Sequence, residues 1–216
     1  MKYTTILFDL DGTLTDSSEG LVNSLQYAMK QYGMEPWAPE ALHCFIGPPL
    51  LDTCRDVLHM TPEEGQKFLH LFRHYFDDCG WRENQLFHGV PEMLKALKDA
   101  GATLVLATSK PEVFAVRIME YFHVAQYFTV MAGSDMDETR SLKADVIAYA
   151  LEQLPDTELS KTVMVGDRKH DIVGGQAHNL DTIGLLEGFG GRSELEIAGA
   201  THIVDTIADL QSYLLT

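Results

Sequence analysis

Short runs of β-branched and aliphatic residues recur along the chain at residues 4–8, 103–107, 129–132, 162–165 and 182–186, nearly all continuously apolar. A run without polar alternation has both faces buried, as in a strand of a parallel sheet covered by helices on each side. Between the later runs lie segments of helical period. Met93, Leu94, Leu97 and Lys98 precede Gly101, and Val146, Ile147, Ala150, Leu151 and Leu154 precede Pro155. Alternation of the two patterns predicts a doubly wound, Rossmann-like α/β fold with a parallel sheet.

The first two runs are separated by about 70 residues with no convincing strand, far more than an ordinary strand-to-helix connection uses. Leu21, Leu25, Ala28 and Tyr32 step by four, three and four, and Phe68, Leu71, Phe72, Tyr75 and Phe76 repeat the period. Pro36, Pro39, Pro48, Pro49 and Pro62 punctuate the stretch. The expectation is an inserted all-α helical bundle over residues 16–85, with residues 1–15 and 86–216 forming the α/β core.

Sixteen Lys and Arg against 32 Asp and Glu leave a net charge of -16, which opposes docking on a nucleic-acid polymer or an anionic membrane. The three cysteines, Cys44, Cys54 and Cys79, form an odd set with no CxxC pair, so free thiols in a reducing compartment are expected. No signal-peptide core or membrane span can be drawn, and a cytoplasmic location is the expectation. Acidic residues at 135–138 read as solvated loop.

The first run ends in Asp9-Leu10-Asp11-Gly12-Thr13-Leu14-Thr15-Asp16. Two carboxylates one residue apart at the carboxyl end of a parallel strand lie where open α/β sheets place their ligands. Turn chemistry alone does not account for a buried strand that delivers two acids into one crevice. The second run leads into Thr108-Ser109-Lys110, Lys143 stands 24 residues before Asp167, and the fourth run leads into Gly166-Asp167-Arg168-Lys169-His170-Asp171.

In order and spacing these four motifs resemble those of the haloacid-dehalogenase-type hydrolases, most of which are Mg²⁺-dependent phosphatases. The resemblance covers the whole chain. It implies that the first strand lies between the second and fourth, that Asp9 is a nucleophile forming an aspartyl-phosphate, and that Asp11 is the acid and then the base. It implies that Thr108, Ser109 and Lys143 hold phosphoryl oxygens, and that Asp9, the Asp11 main-chain carbonyl and Asp167 ligate Mg²⁺. Asp171 would orient Lys143 or a metal-bound water. Hard oxygen ligands suit that cation, which with an ammonium group would offset the repulsion between a phosphate dianion and several carboxylates.

An insert between the first and second motifs corresponds to the helical cap of family members acting on small soluble phosphorylated metabolites. Phe45-Ile46-Gly47-Pro48-Pro49-Leu50 looks like the cap loop of phosphoglycolate-phosphatase-like members, so Ile46, Gly47, Pro48 and Leu50 are candidate substrate contacts. Similar sequences include 5′-nucleotidases and pyrophosphatases, and a phosphomutase would keep the same motifs. A dehalogenase would not need the magnesium set, and a noncatalytic phosphate-binding module is the alternative of a different class. Whether Arg55, Arg73 or Arg82 meets substrate, and whether the chain is a monomer or a homodimer, stays open. His70 and His74 have i, i+4 spacing but no HExxH glutamate, and read as structural or surface residues. Gly188-Phe189-Gly190-Gly191 lacks the GxGxxG spacing and reads as a flexible loop near the crevice.

Overall fold

A computed structural model describes residues 1–137 and 139–216, and Glu138 of the acidic 135–138 stretch lies outside the described residues. In chain order, β1 (Thr5–Phe8) leads into a turn and β2 (Thr15–Asp16). Four helices follow: α1 (Ser18–Tyr32), α2 (Pro39–Leu42), α3 (Leu50–Asp56) and α4 (Pro62–Asp78). After β3 (Gln85–Leu86) the chain alternates as α5 (Val90–Asp99), β4 (Thr103–Pro111), α6 (Glu112–Tyr121), β5 (Phe128–Ser134), α7 (Lys143–Glu152) and β6 (Thr162–Gly166). It ends with α8 (Lys169–Gln176), β7 (Asp181–Leu185), α9 (Arg192–Ala198), β8 (His202–Val204) and α10 (Ile207–Leu215).

The chain divides into two compact units, Met1–Thr15 with Leu86–Thr216, and Asp16–Gln85. The first is the doubly wound α/β fold. Its six strands run β5-β4-β1-β6-β7-β8, and every pairing is parallel. β1 lies between β4 and β6, and its Ile6, Leu7 and Phe8 are fully buried. Leu7 packs with Val105, Ala107, Val130 and Met164 of the neighbouring strands and with Val146, Ile147 and Ala150 of α7. The register sets Phe8 beside Leu106 and Val165, so β1, β4 and β6 reach the same sheet edge together. That edge receives Asp9, Thr108 and Asp167.

Two features of this unit exceed what the periodicity discloses. β4 runs on through Lys110 to Pro111, with its register against β5 shifting between Ala107 and Pro111. β8 is only three residues long, too short for a legible pattern, and is held at the sheet edge by β7.

The second unit is all-α apart from its terminal strand residues. Val22, Leu25, Ala28 and Met29 of α1 meet Phe68 of α4, Cys54 of α3 and Leu42 of α2 in one core. Pro62 occupies the first turn of α4, where its missing N–H costs nothing, and Thr61 and Glu64 close a reciprocal capping box. The three cysteines are free thiols. Among the described residues no helix is long and apolar enough to cross a membrane.

Candidate active site

The turn after β1 is built for close approach. Gly12 has φ +81°, and a Cβ there would lie 2.6 Å from Asp167 Cγ, so only glycine lets this backbone pass against that carboxylate. The turn closes through the Gly12 N–H donating to Thr15 O at 2.8 Å and the Leu14 N–H to Leu10 O at 2.9 Å. Asp9 stands just before it and Asp11 within it.

Asp9, Asp167 and Asp171 form a buried cluster whose carboxylate oxygens lie within 4.8 Å of one another. Lys143, at the start of α7, inserts its ammonium group among them. Its Nζ lies 2.7 Å from Asp9 Oδ1 and 2.9 Å from Asp171 Oδ1, and it donates to the Ala107 carbonyl at 3.0 Å. The Lys143 side chain is only 4% exposed, so these are desolvated ion pairs. Asp171 reaches the cluster from the first turn of α8, where its other oxygen accepts from the Arg168 N–H at 3.0 Å.

Charge in the cluster is unbalanced. Burial, then repulsion from Asp171 and Asp9, pushes Asp167 up to about 8. Burial, together with the Asp171 and Asp11 charges, raises Asp9 to about 6 against the pull of Lys143. Burial alone would depress Lys143, but the flanking Asp171 and Asp9 charges override it and hold the ammonium above its ordinary value. Opposite this group, Lys110 Nζ pairs with Asp11 Oδ2 at 2.8 Å, and Asp11 Oδ1 is buried without a hydrogen-bond partner. Fully ionised, the four carboxylates exceed the two ammonium groups by two negative charges, and the raised Asp167 and Asp9 values express that excess. A hard, oxygen-seeking divalent cation fits that excess and that donor set.

Asp167 is held from both sides. Thr13 Oγ1 donates to its Oδ1 at 3.2 Å, and the Phe189 N–H donates to its Oδ2 at 2.8 Å. Thr108, 1% exposed at the end of the β4 core segment, accepts the Lys110 N–H on its Oγ1 at 3.2 Å, and Ser109 beside it is half-buried.

Asp9, Lys143, Asp167 and Asp171 are thus brought together, Asp11 is paired with Lys110, and Thr108 and Ser109 lie one strand over. Ile46, Gly47, Pro48 and Leu50 belong to the helical unit, where Ile46 is fully buried, Gly47 takes φ +103° and Leu50 opens α3. Arg55 pairs with Asp52 and Asp56 on that unit's surface, and Arg82 lies over the Trp81 ring. His74 stacks on Tyr27, and the cluster of three acids is the sole group of metal-ligating type among the described residues. Arg140, three residues before Lys143, donates to the Gly133 carbonyl and covers the Tyr149 ring.

The sequence places Lys110 beside Thr108 and residues 188–191 near the crevice, but discloses neither the Lys110 contact with Asp11 nor the Phe189 contact with Asp167. A strand period of two from Thr108 was the available signal for Lys110. Nothing local signals that the Phe189 amide reaches Asp167.

The topology and this edge of acids and ammonium groups define a doubly wound α/β hydrolase. The sequence profile of the haloacid dehalogenase-like hydrolases matches residues 6–185, and the chain belongs to that family. A 5′-nucleotidase from Pseudomonas aeruginosa is 37% identical over 99% of this chain and 96% of its own. Tyrosine-protein kinase PtkA from Mycobacterium tuberculosis is 38% identical over 97% of this chain and 72% of its own longer one. The crystal structure of a predicted phosphatase from Clostridium acetobutylicum superposes with a TM-score of 0.96 at 39% identity, covering 99% of this chain and 98% of the other.

Proposed function

We propose that this chain is a Mg²⁺-dependent phosphatase that hydrolyses a small soluble phosphomonoester through an aspartyl-phosphate on Asp9. The observation that carries the reading is Lys143 Nζ bridging Asp9 and Asp171 at 2.7 and 2.9 Å inside a buried cluster of three acids. Such a cluster is costly unless it is used to bind cations and phosphoryl groups.

In this reading Asp9 attacks phosphorus, the ester P–O bond breaks, and the departing oxygen takes a proton from Asp11. Water then attacks the phosphoaspartate and gives its proton to Asp11, and inorganic phosphate leaves with Asp9 regenerated. Lys143 and Thr108 hold phosphoryl oxygens as their charge redistributes, and Lys110 fixes the orientation of Asp11. Mg²⁺, held by Asp9, the Asp11 carbonyl and Asp167, would neutralise charge on the phosphoryl oxygens and the nucleophile.

Residues 16–85 would act as the cap that selects the leaving group, since the core motifs serve the phosphoryl unit common to every substrate. Phosphoglycolate heads the substrate panel on the likeness of residues 45–50. Nucleoside 5′-monophosphates are the second reading, favoured by the 37% identity to the Pseudomonas nucleotidase over nearly both chains. A cytoplasmic location belongs to the same reading. The test is phosphate release from phosphoglycolate, nucleoside 5′-monophosphates, pyrophosphate and sugar phosphates, with Mg²⁺ or with EDTA. Magnesium-dependent release from one class supports the proposal. Full activity in EDTA, or magnesium binding without turnover on any of them, overturns it.

A further inference from the structure

We infer that the Gly188-Phe189-Gly190 segment after β7 is a positioning wall for Asp167, setting the orientation in which that carboxylate meets the metal. The inference rests on the magnesium reading above and concerns backbone that none of the four motifs includes.

The argument starts from why these positions are glycine. The positive-φ glycines of the chain are Gly12, Gly33, Gly47, Gly89, Gly101 and Gly199, and neither Gly188 nor Gly190 is among them. Their requirement is therefore space and not a left-handed turn. A Cβ on Gly188 would lie 2.5 Å from Asp167 Cβ and 2.7 Å from its Cγ, and would overlap the Gly12 carbonyl oxygen. A Cβ on Gly190 would lie 2.9 Å from the Asp167 carbonyl carbon and overlap its oxygen. Gly191, one residue on, has nothing within 4 Å of the same position. The close-packed pair thus flanks the one residue, Phe189, whose N–H reaches the Asp167 carboxylate.

Anchors on either side keep this backbone from retreating. Before it, the Leu186 N–H donates to Val204 O at 3.0 Å, and Glu187 Oε2 accepts the Ile207 N–H at 2.8 Å. After it, Gly191 O accepts the Leu195 N–H at 3.2 Å, and Glu194 of α9 accepts from the Lys169 N–H and Arg168 Nε at 2.9 and 3.0 Å. The segment that reads as flexible in the sequence is tied to β8, α10 and α9, and α9 in turn to the start of α8. With Thr13 on Oδ1 and Phe189 on Oδ2, Asp167 has both oxygens oriented and still keeps acceptor capacity on each. Partners that orient a ligand without touching the metal commonly contribute about 10–100-fold to metal affinity.

The test is Mg²⁺ affinity without substrate, measured calorimetrically on the full chain, for wild type, Gly188→Ala, Gly190→Ala and Gly191→Ala. Circular dichroism and a thermal melt verify folding. Gly188→Ala and Gly190→Ala should weaken Mg²⁺ about 10–100-fold, and Gly191→Ala should stay within about twofold. A folded Gly188→Ala or Gly190→Ala protein that binds Mg²⁺ like wild type overturns the inference while leaving the magnesium reading intact. Should both variants fail to fold, wild type decides: Mg²⁺ saturation must shift the Phe189 amide resonance more than that of Gly191, and equal or absent shifts overturn the inference. Wild type that binds no Mg²⁺ defeats the underlying reading instead.

Discussion

Removing the divalent cation should make the stability of this protein fall as pH rises through neutrality, opposite to the behaviour of a fold held by ordinary carboxylate salt bridges. Asp167 is raised from 3.8 to about 8 and Asp9 from 3.8 to about 6, both mainly by burial. For an acid whose folded value is raised, the folded state binds more protons than the unfolded chain between the two values. Its stabilising contribution is whole below the unfolded value near 4 and is lost as pH climbs to the folded one. At about 1.4 kcal/mol for each tenfold change in proton affinity, Asp167 accounts for on the order of 6 kcal/mol and Asp9 for on the order of 3 kcal/mol. The two repel each other and titrate as a coupled system, so the loss belongs to the pair and amounts to several kcal/mol. His170, whose value is lowered by burial, works in the opposite direction, and its effect is complete by about pH 7. Over the interval from about pH 7 to about pH 8.5 the expected fall therefore comes chiefly from Asp167. The assay is urea unfolding at about pH 5.5, 7 and 8.5 in EDTA and in Mg²⁺, with His170→Gln as a control. Mg²⁺ at about 100 times its Kd should restore about 2.7 kcal/mol and flatten the alkaline slope. Metal-free stability that holds level or rises from about pH 7 to 8.5, in both wild type and His170→Gln, would refute the reasoning.

Asp9→Asn should yield no acid-stable phosphoenzyme on rapid quench, whereas Asp11→Asn should keep the nucleophile and lose roughly 10²–10⁴-fold in kcat. Lys143→Met leaves Asp9 and Asp171 without their shared cation and should destabilise the metal-free fold by about 3–5 kcal/mol at neutral pH, read by urea unfolding, with less loss near pH 5. Leu50→Ala should reorder activity across the phosphomonoester panel without altering the Mg²⁺ requirement; equal scaling of kcat/KM for every substrate would place discrimination in the core loops.

The legibility of the site divides along a physical line. Asp9, Asp11, Lys143, Asp167 and Asp171 were readable because their chemistry is carried by side-chain type at fixed distances from apolar runs, and strand order converts that spacing into proximity. β1 lies between β4 and β6, and this order brings three strand ends together. β8 was not readable, since three residues carry no periodicity, nor was the extension of β4 past Ala107, where the register shift hides the strand. Lys110 reads as following Thr108 toward the crevice, but its partner, Asp11 at 2.8 Å, is not legible, because an ion pair between two strand ends has no sequence spacing of its own. The hold on Asp167 is harder still to read, for the donor is a main-chain N–H that every residue but proline possesses. What selects it is the absence of a side chain at Gly188 and Gly190, and a sequence does not say whether a glycine is there for its φ or for the atom it leaves out. Gly12 answers to both, with φ +81° and Asp167 where its Cβ would be, whereas Gly188 and Gly190 answer to the second alone. The geometry of this site is therefore set by omitted atoms as much as by the charged groups that announce it.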